Sequence, residues 1–258
     1  CKDALDNIGE IDEEKFKVEG TDFKVHLYKK WNLISVPFSL LNDDPAAVFG
    51  DLENIESVWT YDNVNDEWLV WSPGNATDDL NHIKPGWGYW VFMKEDENLT
   101  VGGALFKEGA NMPPSKTLTP GWNLIGYYGS SWELYDGMED YESYCGKRLQ
   151  LAQFIGPDGR YVYGDKIYCA LSSLIDTQEG YPRWSSVWSY INCGNHNDGW
   201  LGLNACADPN NMQTMVDRMY AGRGYWVEMD VQDLYAPATT CIWNDDNFCQ
   251  MTGGGYMP

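Results

Sequence analysis

Basic residues are scarce in this chain: 17 Lys and Arg stand against 39 Asp and Glu, giving a net charge of −22 and a pI near 4.2. Such a surface repels phosphate backbones and argues against nucleic acid as a partner. Long apolar runs are missing as well. No stretch approaches the ~20 apolar residues of a membrane span, so no transmembrane segment is expected. Histidine is limited to His26, His82 and His196, and none stands beside a nucleophile motif. G-x-S-x-G, P-loop and H-E-x-x-H patterns are absent, as are C-x-x-C pairs. A chain with 39 carboxylates always offers some acid pair, so that abundance is no signal of glycoside hydrolysis. The expectation is that this protein is not an enzyme.

What the chain does have is a duplication. Gly86-Trp87-Gly88-Tyr89-Trp90-Val91 returns as Gly222-Arg223-Gly224-Tyr225-Trp226-Val227. Upstream, Trp31-Asn32-Leu33-Ile34 answers Trp122-Asn123-Leu124-Ile125, and Ser57-Val58-Trp59-Thr60-Tyr61 answers Ser186-Val187-Trp188-Ser189-Tyr190. Three motifs in the same order identify a tandem repeat. The reading divides the chain into an N-terminal extension (1–24), repeat domain 1 (25–103), a connector (104–117), repeat domain 2 (118–240, with an insertion at about 130–165) and a C-terminal tail (241–258). The fold class expected is β-rich α+β, two homologous domains of mainly antiparallel strands with short helices.

Local signals fill in the elements. Residues 1–15 carry apolar positions at helical spacing, and 16–27 alternate as a hairpin would. Trp31–Pro37, Val58–Tyr61, Trp68–Trp71 and Tyr89–Met93 read as strands. Asp44-Pro45 opens a short helix, with Asp44 as cap and Pro45 in the first turn. One helical turn is expected over Asp78–Ile83, and a helix over Met212–Met219 at the same place in repeat 2. Gly156-Pro157-Asp158-Gly159 predicts a hairpin inside the insertion.

Candidate site residues are of several kinds. Cys145, Cys169, Cys193, Cys206, Cys241 and Cys249 all lie in repeat 2 and the tail, and permit three disulfides in fifteen connectivities. The local pairs Cys193–Cys206 and Cys241–Cys249 are preferred, leaving Cys145–Cys169. Cys1 is then odd, a candidate for lipidation or an intersubunit bridge, and a chain opening on Cys is expected to follow a cleaved secretory signal. The sequons at Asn75 and Asn98 are candidate N-glycosylation sites. Cysteines and sequons together favour a secreted, cell-surface protein. No cofactor is expected beyond calcium, for which the oxygen-rich loops offer Asp62, Asp66 and Asp198 without the D-x-D-x-D-G register.

Aromatic content is 15%, including 13 Trp. The recurring pairs Trp31/Trp122, Trp59/Trp188, Trp68/Trp200 and Trp90/Trp226 are expected to build the two cores, since duplicated domains must keep a core. The unmatched Trp71, Trp87, Trp132, Trp184 and Trp243 are the candidates for interfaces or sugar stacking.

The pattern W-N-L-I-S-x-P, then S-V-W-x-Y, then P-G-x-G-Y-W-V resembles a repeat of archaeal cell-surface and S-layer-like secreted proteins. The resemblance spans roughly 25–103 and 118–230 and implies a surface role without catalytic residues. Repeat 2 departs from it by its insertion and by Gly126-Tyr127-Tyr128 in place of Ser35-Val36-Pro37. The expected function is a structural subunit of an extracellular filament, tube or surface layer, polymerising with copies of itself head to tail through its terminal segments. The alternative is a carbohydrate-binding, adhesive module that recognises surface glycans.

Overall fold

The computed structural model describes residues 21–105, 115–128, 132–134, 153–156, 159–176, 181–192, 194, 199–205 and 218–236. Repeat 1 comprises β1 (Thr21–Leu27), β2 (Lys30–Ser35), β3 (Phe38–Ser39), helix α1 (Pro45–Phe49), β4 (Ile55–Asp62), β5 (Glu67–Trp71), β6 (Gly88–Met93) and β7 (Glu97–Leu105). Then come β8 (Lys116–Leu118), β9 (Gly121–Gly126), β10 (Trp132–Leu134), β11 (Gln153–Gly156), β12 (Gly159–Lys166) and helix α2 (Ile167–Ala170). Repeat 2 closes with β13 (Trp184–Ile191), β14 (Gly199–Asn204), β15 (Arg218–Tyr220), β16 (Gly224–Met229) and β17 (Asp233–Tyr235). No helix among the described residues is long and apolar enough to cross a membrane.

Each repeat forms one four-stranded antiparallel sheet of the same topology. Repeat 1 orders as β2-β6-β4-β5 and repeat 2 as β9-β16-β13-β14. The two similar, strand-dominated domains are as expected. A third sheet, β10-β12-β11-β1-β7-β3 with β15 on β12, joins the N-terminal strand to the insertion hairpin. The division between an extension ending at residue 24 and an insertion in the second repeat therefore runs through a single sheet. β1 is paired on both edges, by β7 from Thr21 to Leu27 and by β11 from Asp22 to Lys24.

Strand alternation decides which side of each sheet is core. On β6, Tyr89, Val91 and Met93 are fully buried; on β16 the same places hold Tyr225, Val227 and Met229. In repeat 1 this side meets Val48 and Phe49 of α1 together with Leu52. α1 begins where the sequence places it, with the Asp44 carboxylate accepting from Ala46 N at 2.8 Å. Both sheets carry a bulge at the same point, between Ile55 and Ser57 and between Trp184 and Ser186.

The one-turn helix expected over Asp78–Ile83 is not formed. Its backbone donors go elsewhere, Leu80 N to Val70 O at 3.0 Å and Ile83 N to Asp43 O at 2.7 Å, so the segment is held as an irregular strap. Residues 218 and 219, expected in a helix, belong to strand β15 instead. The rest of that expected helix, the N-terminal helix and the C-terminal tail lie outside the described residues.

The two sheets abut about a local pseudo-two-fold axis. Ser35 N donates to Gly222 O at 3.0 Å, and the corresponding Gly126 N donates to Gly86 O at 3.0 Å. Bridges Ile34–Arg223 and Ile125–Trp87 repeat the same exchange. This contact accounts for the Gly-x-Gly-Tyr-Trp-Val motif. Gly86 and Gly222 hold φ of +81° and +88°, where a side chain is strained. At Gly88 a Cβ would stand 2.7 Å from Ile125 O, and at Gly224 2.9 Å from Ile34 O, so each repeat's backbone touches the other's. The tyrosines fix the turn: Lys84 N donates to Tyr89 Oη at 2.6 Å and Tyr220 N to Tyr225 Oη at 2.7 Å.

Candidate functional site

With Tyr89 and Val91 turned inward, period-two alternation forces Trp90 outward, and the same holds for Trp226. Trp31 pairs beside Phe92, and Trp59 pairs between Trp90 and Val70, all on that outer side. The recurring tryptophans therefore do not form the core, contrary to expectation. Trp31, Trp68, Trp122, Trp188 and Trp200 are 38%, 45%, 44%, 36% and 45% exposed, and Trp59, Trp90 and Trp226 are half-buried. What the duplication kept is an aromatic surface.

The surface is continuous across the axis. Tyr61 and Trp68 of repeat 1 pack on Trp226 of repeat 2, with ring centroids 5.8 and 5.9 Å away. Reciprocally, Tyr190 and Trp200 of repeat 2 pack on Trp90 at 5.3 and 5.7 Å. The rings meet at angles: Trp68–Trp226 at 65°, Trp90–Trp200 at 69° and Trp31–Trp90 at 87°. Each such pair contributes about 0.5–1.5 kcal/mol beyond area burial, so the rings brace one another in place.

Two hollows mark this face. One, of about 470 Å³, is lined among the described residues by Trp31, Trp59, Trp68 and Trp90. The other, of about 1220 Å³, shares Trp68 and Trp90 and continues over Trp122, Trp188, Trp200 and Trp226. Its polar lining is Asn63, Asp66, Thr119, Ser186, Asn204 and Glu228. Trp188 lies flat on β14, where a Cβ at Gly202 would come within 2.5 Å of its ring; repeat 1 has Val70 there. Among the described residues, only Trp59 of the eight recurring tryptophans has its indole N–H engaged, by Ser57 Oγ at 2.9 Å. The other indole N–H groups are donors available to a ligand.

The residues singled out from sequence fall differently. Trp184 is fully buried, occupying in repeat 2 the core place of Ile55, and is therefore neither an interface nor a stacking residue. Trp71 is half-buried against Phe49 at 6.2 Å. Trp87 is also half-buried, under two ammonium groups, with Lys116 Nζ 3.9 Å and Lys84 Nζ 5.0 Å from its ring. Trp132 is placed only as the first residue of β10, and Trp243 lies outside the described residues.

Asp62 and Asp66 belong to the β4–β5 turn. Asp62 accepts from Val64 N at 3.0 Å and from Asn65 Nδ2 at 2.9 Å, while Asp66 accepts from the Tyr61 hydroxyl. The turn thus engages both Asp62 oxygens and one oxygen of Asp66 internally. Asp198 lies outside the described residues, as do Cys1, Cys145, Cys193, Cys206, Cys241 and Cys249; Cys169 is described only as a position in α2. Asn75 and Asn98 are both exposed, Asn75 accepting from the Thr77 hydroxyl at 2.9 Å and Asn98 paired with His26 Nδ1 at 2.8 Å.

One buried charge joins the repeats beneath this surface. Lys116 Nζ donates to Leu124 O at 2.6 Å and Tyr61 O at 3.4 Å. Burial pushes its ammonium down to about 7, against the pull of Asp62. Across the axis, Val25 holds the corresponding place, and a small cavity there is lined by Val25 and by Arg223, the counterpart of Trp87.

Compared with protein families, curated proteins and solved structures, the chain matches none.

Proposed function

We propose that this protein is a carbohydrate-binding, adhesive module of an extracellular surface, and that the tryptophan face across both repeats is its binding site. The observation that supports this most is the combination on one groove of exposed indole faces, unengaged indole N–H groups and a polar lining of Asn63, Thr119, Ser186 and Asn204. A sugar ring presents an apolar face of C–H groups and a rim of hydroxyls, and this groove offers a counterpart to each. Net charge −22 opposes acidic partners and leaves neutral or basic glycans as the ligand class. Because the rings are inclined rather than coplanar, the groove suits a single twisted chain better than a flat crystalline surface.

The test is electrophoresis through gels containing soluble neutral and basic polysaccharides, with wild type beside Trp122→Ala/Trp188→Ala. The expected result is retardation of wild type and at least about tenfold weaker binding by the double variant, while both unfold at the same denaturant concentration. Unretarded, folded wild type would overturn the proposal.

A second reading, a structural subunit covered by its own copies, draws on the same continuous apolar face, since extended patches of this kind also serve protein contacts. In it, docking through residues 21–27 would first require β1 to leave both of its own partners. Concentration-dependent polymers seen by electron microscopy, abolished by the same double variant, would favour this reading over the first.

A further inference from the structure

We infer that the repeat 2 half of the groove selects sugars bearing a protonated amine, making a polymer of amino sugars with free ammonium groups its preferred ligand class. The inference rests on the glycan-binding reading above and narrows it. It comes from comparing the two outer faces place by place. β6 turns Trp90 and Phe92 outward, whereas β16 turns out Trp226 and Glu228. Phe92 packs edge-on against Trp31, with centroids 4.9 Å apart, and closes that half with hydrocarbon. In repeat 2 the place beside Trp122 holds a carboxylate instead.

That carboxylate is positioned. Glu228 lies between Trp122 on β9 and Ser186 on β13 in the strand register, and Ser186 Oγ donates to its Oε2 at 3.0 Å. The corresponding serine of repeat 1, Ser57, accepts from Trp59 instead. The same hydroxyl is thus used in one repeat to hold an indole and in the other to hold an anion.

The surroundings favour a cation. Asp66 adds a second carboxylate to the lining, and no Lys, Arg or His lines this hollow among the described residues. An ammonium placed here meets the charge of Glu228 and the faces of Trp122, Trp188 and Trp226, which attract cations through their ring quadrupoles. A neutral sugar gains the stacking and the hydrogen bonds but not this charge attraction. The repeat 1 half, lined by Trp31, Trp59, Trp68 and Trp90, carries no charged lining residue among the described residues and serves for the uncharged remainder of the chain.

The experiment is calorimetric titration of the whole chain with β-1,4-linked glucosamine oligomers and their fully N-acetylated counterparts, below the amine pKa and at fixed salt. Glu228→Gln tests the site, and Asp51→Asn, an exposed acid after α1, controls for overall charge. The expected result is about tenfold tighter binding of the amine form by wild type and Asp51→Asn, with the preference for amine over acetylated oligomer lost in Glu228→Gln. Equal affinity for both forms, or a preference that survives Glu228→Gln, overturns this inference and leaves the glycan-binding reading standing. Binding of neither form, together with no retardation by any polysaccharide, overturns both.

Discussion

The two repeats share a backbone plan and differ in where they place large side chains and charges. Repeat 1 puts Ile55 in its core and Phe92 on its outer face; repeat 2 puts Trp184 and Glu228 in those places. At the axis, repeat 1 contributes Ser35 and repeat 2 Gly126, and a Cβ on Gly126 would stand 2.4 Å from that of Ser35. Beside the axis, Lys116 packs over the Trp87 ring on one side, while Val25 and Arg223 hold the corresponding places on the other. A duplicated chain keeps what both copies need in common, the sheet, the glycine contact and the tryptophan surface. It diverges where two identical residues would collide or where one charge suffices.

The largest effect expected from breaking this comparison is in the core. Trp184→Ala should cost about 3–5 kcal/mol, because a fully buried indole leaves a cavity. Trp188→Ala, four residues along the same strand but exposed, should cost under about 1 kcal/mol and weaken only ligand binding. Urea unfolding of the two variants measures the contrast, and comparable losses would mean that the outer face is part of the core after all.

At the axis, Gly126→Ser should destabilise by about 1–3 kcal/mol through overpacking. Adding Ser35→Gly should recover part of that loss, since it removes the facing Cβ and a buried hydroxyl with no partner among the described residues. A double-mutant cycle reads the coupling, and strict additivity would show that the two positions do not share one space.

Lys116 gives a smaller, pH-dependent difference. Its folded pKa, about 7, lies below the ordinary 10.5, so between those values the unfolded chain binds more protons than the folded one. Stability should therefore rise with pH from about 7 toward 9, with a slope of at most about 1.4 kcal/mol per pH unit from this group. Buried Tyr89, Tyr128 and Tyr235, whose pKa values are raised by burial, oppose the trend only above about 10, where unfolded tyrosine ionises. Denaturation across this window should show the rise in wild type and a flat profile in Lys116→Met. A rise that persists in the variant would assign it to other groups.

Much of this was legible in the chain. The motif Gly-x-Gly-Tyr-Trp-Val announced the duplication, Asp44-Pro45 announced α1, and the apolar run Tyr89–Met93 announced a strand. Alternation alone does not say which side is covered when both are apolar, and so the recurring tryptophans read as core. The signal that could have corrected this is polar: Thr60 and Ser189 share a side with Tyr89 and Tyr225, and their hydroxyls donate inward to Gly88 O at 2.7 Å and Gly224 O at 2.9 Å. With the tyrosine and valine side anchored, the tryptophans had to face out. Trp184 was misassigned for the converse reason, since Ile55 looks nothing like it and only the shared bulge aligns them.

The sequence by itself determined the repeat, the strands and the acidic character, because these follow from local periodicity and composition. Only the tertiary structure decided the rest: that the two repeats meet through backbone at their glycines, that one axis admits one side chain, and that eight tryptophans distant in the chain form a single groove. Those facts depend on which strand ends abut in space. Pairing across the axis is a relation between sites distant in the chain, Gly86 with Gly126 and Ser35 with Gly222 among them, and no local pattern encodes it.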